Sequence, residues 1–92
     1  MDDLENLFLQ GKPAGILVNI RRGRGDKYAS VLSKEVDCTY SHTVKILNKF
    51  ENKDIVEFNK EGRRKLIELT DEGEKIASVL EELMVEIRDI EE

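Results

Sequence analysis

Between Tyr40 and Phe50 the apolar positions recur at the i, i+3, i+4, i+7 spacing of a helix that turns one face to a core. Thr39 suits the N-cap, since its hydroxyl can accept from an otherwise unpaired backbone N–H. With about 100° per residue, Tyr40, Thr43, Val44, Ile46, Leu47 and Phe50 fall within an arc of roughly 160° and are expected to point inward. Ser41, His42, Lys45, Asn48, Lys49 and Asn52 share the remaining arc, which holds two lysines and no carboxylate.

The same patterning places neighbouring elements on both sides. Lys12 and Pro13 open an earlier helix, because proline's missing N–H costs nothing in a first turn. Ile16, Leu17 and Ile20 form its stripe and Gly23 ends it. Ser30 is expected to cap a second helix running to about Val36, with Val31, Leu32 and Val36 inward. Asp37 and Cys38 make a sharp turn, Asp being one of the few residues that tolerates a left-handed backbone. After Lys53 and Asp54, the β-branched and aromatic residues Ile55, Val56 and Phe58 begin a strand. Asn59 to Gly62 form a hairpin turn with Gly at positive φ. Arg63, Arg64 and Lys65 then lead a returning strand whose Leu66, Ile67 and Leu69 rejoin the core. Residues 1 to 11 pair an acidic start with Leu7, Phe8 and Leu9, and lean towards extended backbone.

Thr70 is an N-cap with Asp71, Glu72 and Glu74 at the positive end of the following helix dipole. Beyond it Ile76, Leu80, Leu83, Ile87 and Ile90 recur at alternating spacings of four and three, a heptad stripe that Ala77 and Met84 widen. About 21 helical residues extend ~30 Å, more than so small a core can cover. The stripe is therefore expected to pack against a second copy of the chain, making a homodimer. The resulting fold class is mainly α with a small β-hairpin (α+β). Residues 1–69 form one compact unit, and residues 70–92 form a C-terminal helix that serves as the dimerisation element.

Composition narrows the class. Ninety-two residues with 39% hydrophobic content fit a single soluble domain. No apolar run reaches a membrane span and no signal-peptide pattern opens the chain, so a cytoplasmic protein is expected. The lone Cys38 cannot form an internal disulfide and reads as buried filler between two helices, with a redox-sensing thiol as the other reading. A charged content of 38% with a single Gln resembles usage in proteins from hot environments.

The net charge of −5 argues against a nucleic-acid partner until it is divided along the chain. Residues 12–69 hold thirteen Lys and Arg against eight Asp and Glu, a net +5, whereas residues 1–11 carry −3 and residues 70–92 carry −7. Phosphate affinity follows the local field within a Debye length of about 8 Å, so a basic face can coexist with an acidic helix.

Each residue on the outer arc of the Tyr40 helix can hydrogen-bond a base edge or a phosphate. Arg63, Arg64 and Lys65 at the hairpin have two readings: contacts to a phosphate backbone or minor groove, or charges that protect a strand edge from pairing. The basic turn containing Arg21, Arg22 and Arg24 also has two: a phosphate contact, or stabilisation of a helix C-terminus. One His, one Cys and no glycine-rich phosphate loop leave no constellation for catalysis, a metal or a cofactor. The chain is not expected to be an enzyme.

The order helix, helix, turn, helix, two strands, long helix is that of a winged helix-turn-helix domain. The run YASVLSKEVDCTYSHTVKIL, Tyr28 to Leu47, resembles the helix-turn-helix of MarR-like regulators, particularly compact archaeal ones. Gly62-Arg63 is similar to the family's wing tip, and Leu69 to Glu74, LTDEGE, to its junction between wing and C-terminal helix. Together these cover about residues 12 to 78.

The resemblance implies a homodimer that binds double-stranded DNA as a sequence-specific transcriptional regulator, a repressor. Its third helix would lie in the major groove and its wing at the flanking minor groove. Residue by residue, it implies Ser41, His42, Lys45, Asn48 and Lys49 as recognition positions and Arg63 as the wing contact. The chain is shorter than the usual regulator, which leaves the C-terminal helix as the expected dimer element. Asp54 stands where the family commonly has glycine. A winged-helix adaptor that binds protein instead of DNA is the alternative. The sequence says nothing of an operator, the regulated genes, activation as against repression, or a small-molecule effector.

Overall fold

The computed structural model describes residues 5, 8–23 and 26–91. Among them run helices α1 (Gly11–Arg22), α2 (Ala29–Glu35) and α3 (Tyr40–Asn52), strands β1 (Val56–Glu61) and β2 (Arg64–Leu69), and helix α4 (Asp71–Glu91). The strands form one antiparallel hairpin, with Val56 opposite Leu69, Phe58 opposite Ile67 and Glu61 opposite Arg64. This is the winged helix fold, mainly α with a small β-hairpin.

One core joins every element. Ile16 and Leu17 of α1 meet Leu32 of α2, Ile46, Leu47 and Phe50 of α3, Ile55, Val56 and Ile67 around the hairpin, and Ala77 of α4. Burying side chains of this size contributes about 1.5–3 kcal/mol each. The first turns of α4 therefore complete the same core that α3 rests on.

Turn chemistry sets the angles between elements. Asp37 adopts φ 53° and Asp54 φ 58°, so Asp54 takes the left-handed conformation for which glycine is the usual residue. Thr39 caps α3 by accepting from the His42 N–H at 3.2 Å. Thr70 ties the two ends of the hairpin together. Its hydroxyl accepts from the Gly73 N–H at 3.1 Å and donates to the Asp54 carbonyl at 2.6 Å. Gly73 needs its missing side chain, since a Cβ there would run into the Ile55 carbonyl oxygen.

Four sequence expectations need correction. Ser30 does not cap α2: Tyr28 is the N-cap and Ser30 lies within the helix, where its carbonyl accepts from Ser33 Oγ at 2.9 Å. Gly23 does end α1, as its place in the sequence indicates, with φ −66°, an ordinary extended value. A Cβ there would require the Lys27 side chain to shift. Glu5 and Phe8 are helical and the Leu9 N–H donates to the Glu5 carbonyl at 3.0 Å, so these described residues are not extended; Leu7 lies outside the described residues.

The hairpin turn is Gly62-Arg63 instead of 59–62, because Asn59 to Glu61 stay paired with β2. Gly62 has φ +62° while Arg63 does not share the positive φ, the type II′ pattern that matches strand twist. The wing is accordingly longer than the sequence suggested. Finally, Tyr40 does not point inward but is 60% exposed. It opens α3, one turn before the helix reaches the core.

Candidate nucleic-acid interface

The outer face of α3 is open. Ser41, His42, Lys45, Asn48, Lys49 and Asn52 are all exposed, while Thr43, Ile46, Leu47 and Phe50 on the opposite side are buried. Thr43 Oγ1 donates to the Thr39 carbonyl at 2.9 Å, which satisfies the polar group that the buried face carries. The helix is thus anchored along one stripe and presents hydrogen-bonding groups along the other.

The wing stands beside this face. Tyr40, Val44 and Asn48 of α3 line a groove of about 270 Å³ whose other wall carries Arg63, Arg64 and Lys65. Asn48 belongs to the outward arc of α3, so helix and wing border a common recess. Neither Lys45 nor Lys49 of α3, nor Arg63 or Lys65 of the wing, forms an ion pair with a carboxylate among the described residues.

Three contacts fix the wing to the body of the domain. Ile67 N–H donates to the Lys27 carbonyl at 2.8 Å, which adds the segment before α2 to the edge of β2. Tyr28 Oη donates to Glu61 Oε1 at 3.0 Å, and the Arg64 guanidinium lies 4.5 Å from the Tyr28 ring centroid. The hydrogen bond to Glu61 raises the pKa of the Tyr28 phenol, with desolvation acting in the same direction. Arg64 is thereby held as a strut between wing and α2, whereas Arg63 at the turn has no such tether among the described residues.

The arginines at the end of α1 have a different role. Arg21 is ion-paired to Glu74 at 2.8 Å and to Glu81, and Arg22 Nε lies 2.9 Å from the other Glu81 oxygen. The Glu74 hydrogen bond is the main cause of a raised Arg21 pKa. Arg22 is thus engaged by α4, and the acidic helix approaches this corner of the basic segment. Arg24 lies outside the described residues. Ser41, His42, Lys45, Asn48 and Lys49 share the exposed face of α3, Asn48 meets Arg63, Arg64 and Lys65 around the recess, and Arg22 is set apart by its pairing with α4.

Sequence reasoning missed two supports. Lys27 is only 7% exposed, and its Nζ lies 2.8 and 2.6 Å from the two Glu35 oxygens, closing the interval between α1 and α2. Tyr28 was assigned no role. A tyrosine at an N-cap, where Ser, Thr, Asp or Asn is usual, is the one signal in the sequence that its side chain is engaged elsewhere.

On α4 the heptad stripe divides. Ile76 and Leu80 pack on the core, but Leu83, Ile87 and Ile90 are 55%, 46% and 82% exposed. No helix among the described residues is long and apolar enough to cross a membrane.

Comparison with known proteins agrees with this architecture. Residues 9–73 match the family model described as a winged helix DNA-binding domain. An uncharacterised protein of Archaeoglobus fulgidus is 34% identical over 86 residues, 90% of each chain. The crystal structure of AF1382 from the same organism is 32% identical, covers 94% of this chain and 97% of its own, and superposes with a TM-score of 0.79. A mutant of the Staphylococcus aureus regulator MepR bound to an oligodeoxyribonucleotide shares the fold at 20% identity and a TM-score of 0.76. That alignment covers 95% of this chain, which spans 66% of the MepR chain. The chain belongs to the winged helix DNA-binding domain family.

Proposed function

We propose that the protein is a homodimeric, sequence-specific transcriptional regulator, acting as a repressor by occupying its DNA site. In this reading α3 enters the major groove. Lys45 and Asn48 read base edges there, each good bidentate contact contributing about 1–3 kcal/mol of discrimination. Ser41, His42 and Lys49 set register through phosphates, and Arg63 reaches the flanking minor groove. The observation that carries the reading is the recess shared by Asn48 of α3 and the cations of the wing. The DNA-bound MepR structure supports the same assignment by its fold.

The dimer uses the distal half of α4. Leu83, Ile87 and Ile90 form an apolar strip that stays exposed among the described residues, and a two-fold pairing through it would give a pseudo-palindromic site with half-sites about 10 bp apart. A cytoplasmic protein is the setting this function needs.

Selection of bound sequences from a random duplex pool tests the proposal. A reproducible motif, bound more tightly than its scrambled version, is expected. Absence of duplex binding at about 50 mM salt would reject it in favour of a protein-binding adaptor.

A further inference from the structure

The register of the wing brings two lysines face to face. Lys60 of β1 lies directly opposite Lys65 of β2, one step from the Gly62-Arg63 turn. Both are exposed, and neither pairs with a carboxylate among the described residues. Side chains at i and i+2 share a sheet face, so these lysines continue the face of Phe58 and Ile67, the one that turns to the core. Lys65 Nζ lies 5.5 Å from the Phe58 ring centroid, and Lys65 lines the recess beside α3.

Like charges directly opposite each other destabilise a hairpin. Glu61 is the carboxylate nearest in sequence that could relieve them, but it alternates to the other face of β1 and its Oε1 accepts from Tyr28 Oη at 3.0 Å. The tip therefore carries Lys60, Lys65 and Arg63 with their one acidic neighbour drawn away.

We propose that Lys60 and Lys65 form a two-lysine seat for one backbone phosphate of duplex DNA, and that the free protein tolerates their repulsion because the phosphate relieves it. This rests on the DNA-binding reading above and adds a contact, Lys60, to the wing. A seat of this kind sets stability and affinity against each other: relieving the repulsion within the protein stabilises the hairpin and weakens DNA binding. A residue with only a structural role moves both in the same direction.

The test uses the full chain and its selected duplex, with Lys60→Thr to keep strand propensity and Lys60→Glu to create a cross-strand ion pair. Both variants are expected to melt a few degrees higher than the parent at low salt, and the gain disappears in 1 M salt as the charges are screened. Lys60→Thr should bind about eightfold more weakly at 0.1 M salt, the release of roughly one counterion, with a slope of log K against log salt shallower by about 0.9. The loss should be equal on selected and scrambled duplexes, since a phosphate contact reads no sequence. A parental protein that binds duplex while Lys60→Thr keeps its slope overturns the seat alone, as does a variant that melts lower and binds worse. A parental protein that binds no duplex at low salt overturns both the seat and the functional reading.

Discussion

Lys45 occupies the middle of the exposed arc of α3, with Ser41, Asn48 and Lys49 around it and no carboxylate in an ion pair with it among the described residues. Truncation to alanine leaves the buried stripe untouched, so Lys45→Ala should fold normally and lose about 1–3 kcal/mol on the preferred duplex, with relaxed preference at one base position. Equal losses on every sequence would demote it to a phosphate contact.

Tyr28 can be tested by titration. Its hydroxyl donates to Glu61, which favours the neutral phenol and raises its pKa. The bond is intact below the ordinary tyrosine pKa of about 10 and is lost as pH rises through the raised folded value. Alkaline absorbance titration of Glu61→Gln should therefore show one phenol ionising at lower pH than in the parent. An unchanged curve would mean that the pair does not persist in solution. Gly73→Ala addresses backbone approach: its Cβ would meet the Ile55 carbonyl oxygen, and overpacking of this kind costs about 1–3 kcal/mol, measurable by denaturant unfolding.

At the scale of elements, what the sequence revealed depended on whether the cause was local. Thr39 and Thr70 cap α3 and α4 as their chemistry requires, Asp37 takes its left-handed turn, and the stripe Thr43, Ile46, Leu47, Phe50 is buried. Thr39→Ala should cost about 1 kcal/mol of stability, the usual value of a lost cap, and thermal unfolding would register it.

Features made by distant partners were not legible. Tyr40 satisfies the helical period of the core stripe, but the core ends before the first turn of α3, and periodicity cannot locate that end. The start of α2 was misplaced because Ser30 is the better cap in isolation, while Tyr28 is held by Glu61 and Arg64 more than thirty residues away. Asn59, Lys60 and Glu61 have turn-like character in the sequence, and only their pairing across to Leu66, Lys65 and Arg64 makes them strand. Within the candidate interface, the helical face followed from spacing. The distinction between Arg63 as a free tip and Arg64 as a strut did not.

The whole molecule reconciles its negative charge with an anionic partner by distributing it. Glu74 and Glu81 of α4 neutralise Arg21 and Arg22 at the end of α1, while α3 and the wing tip keep their cations unpaired among the described residues. Surface ion pairs of this type contribute little stability individually. Their effect here is to hold α4 along α1 and fix the direction in which Leu83, Ile87 and Ile90 project. If those residues join two copies, Leu83→Glu with Ile87→Glu should yield a folded monomer by sedimentation at micromolar concentration, and it should bind an isolated half-site far better than it distinguishes the full palindrome. A parent that sediments as a 10.6 kDa species would remove the dimer from the account.

The most direct measurement is equilibrium binding of the parent protein to its selected duplex and to a scrambled duplex, between about 50 and 200 mM salt. Affinity should fall steeply with salt on both duplexes, from the shared phosphate contacts of α3 and the wing, with a selected-over-scrambled ratio that persists across the range. Salt-independent binding, or equal affinity for the two duplexes at every salt concentration, would contradict sequence-specific DNA binding.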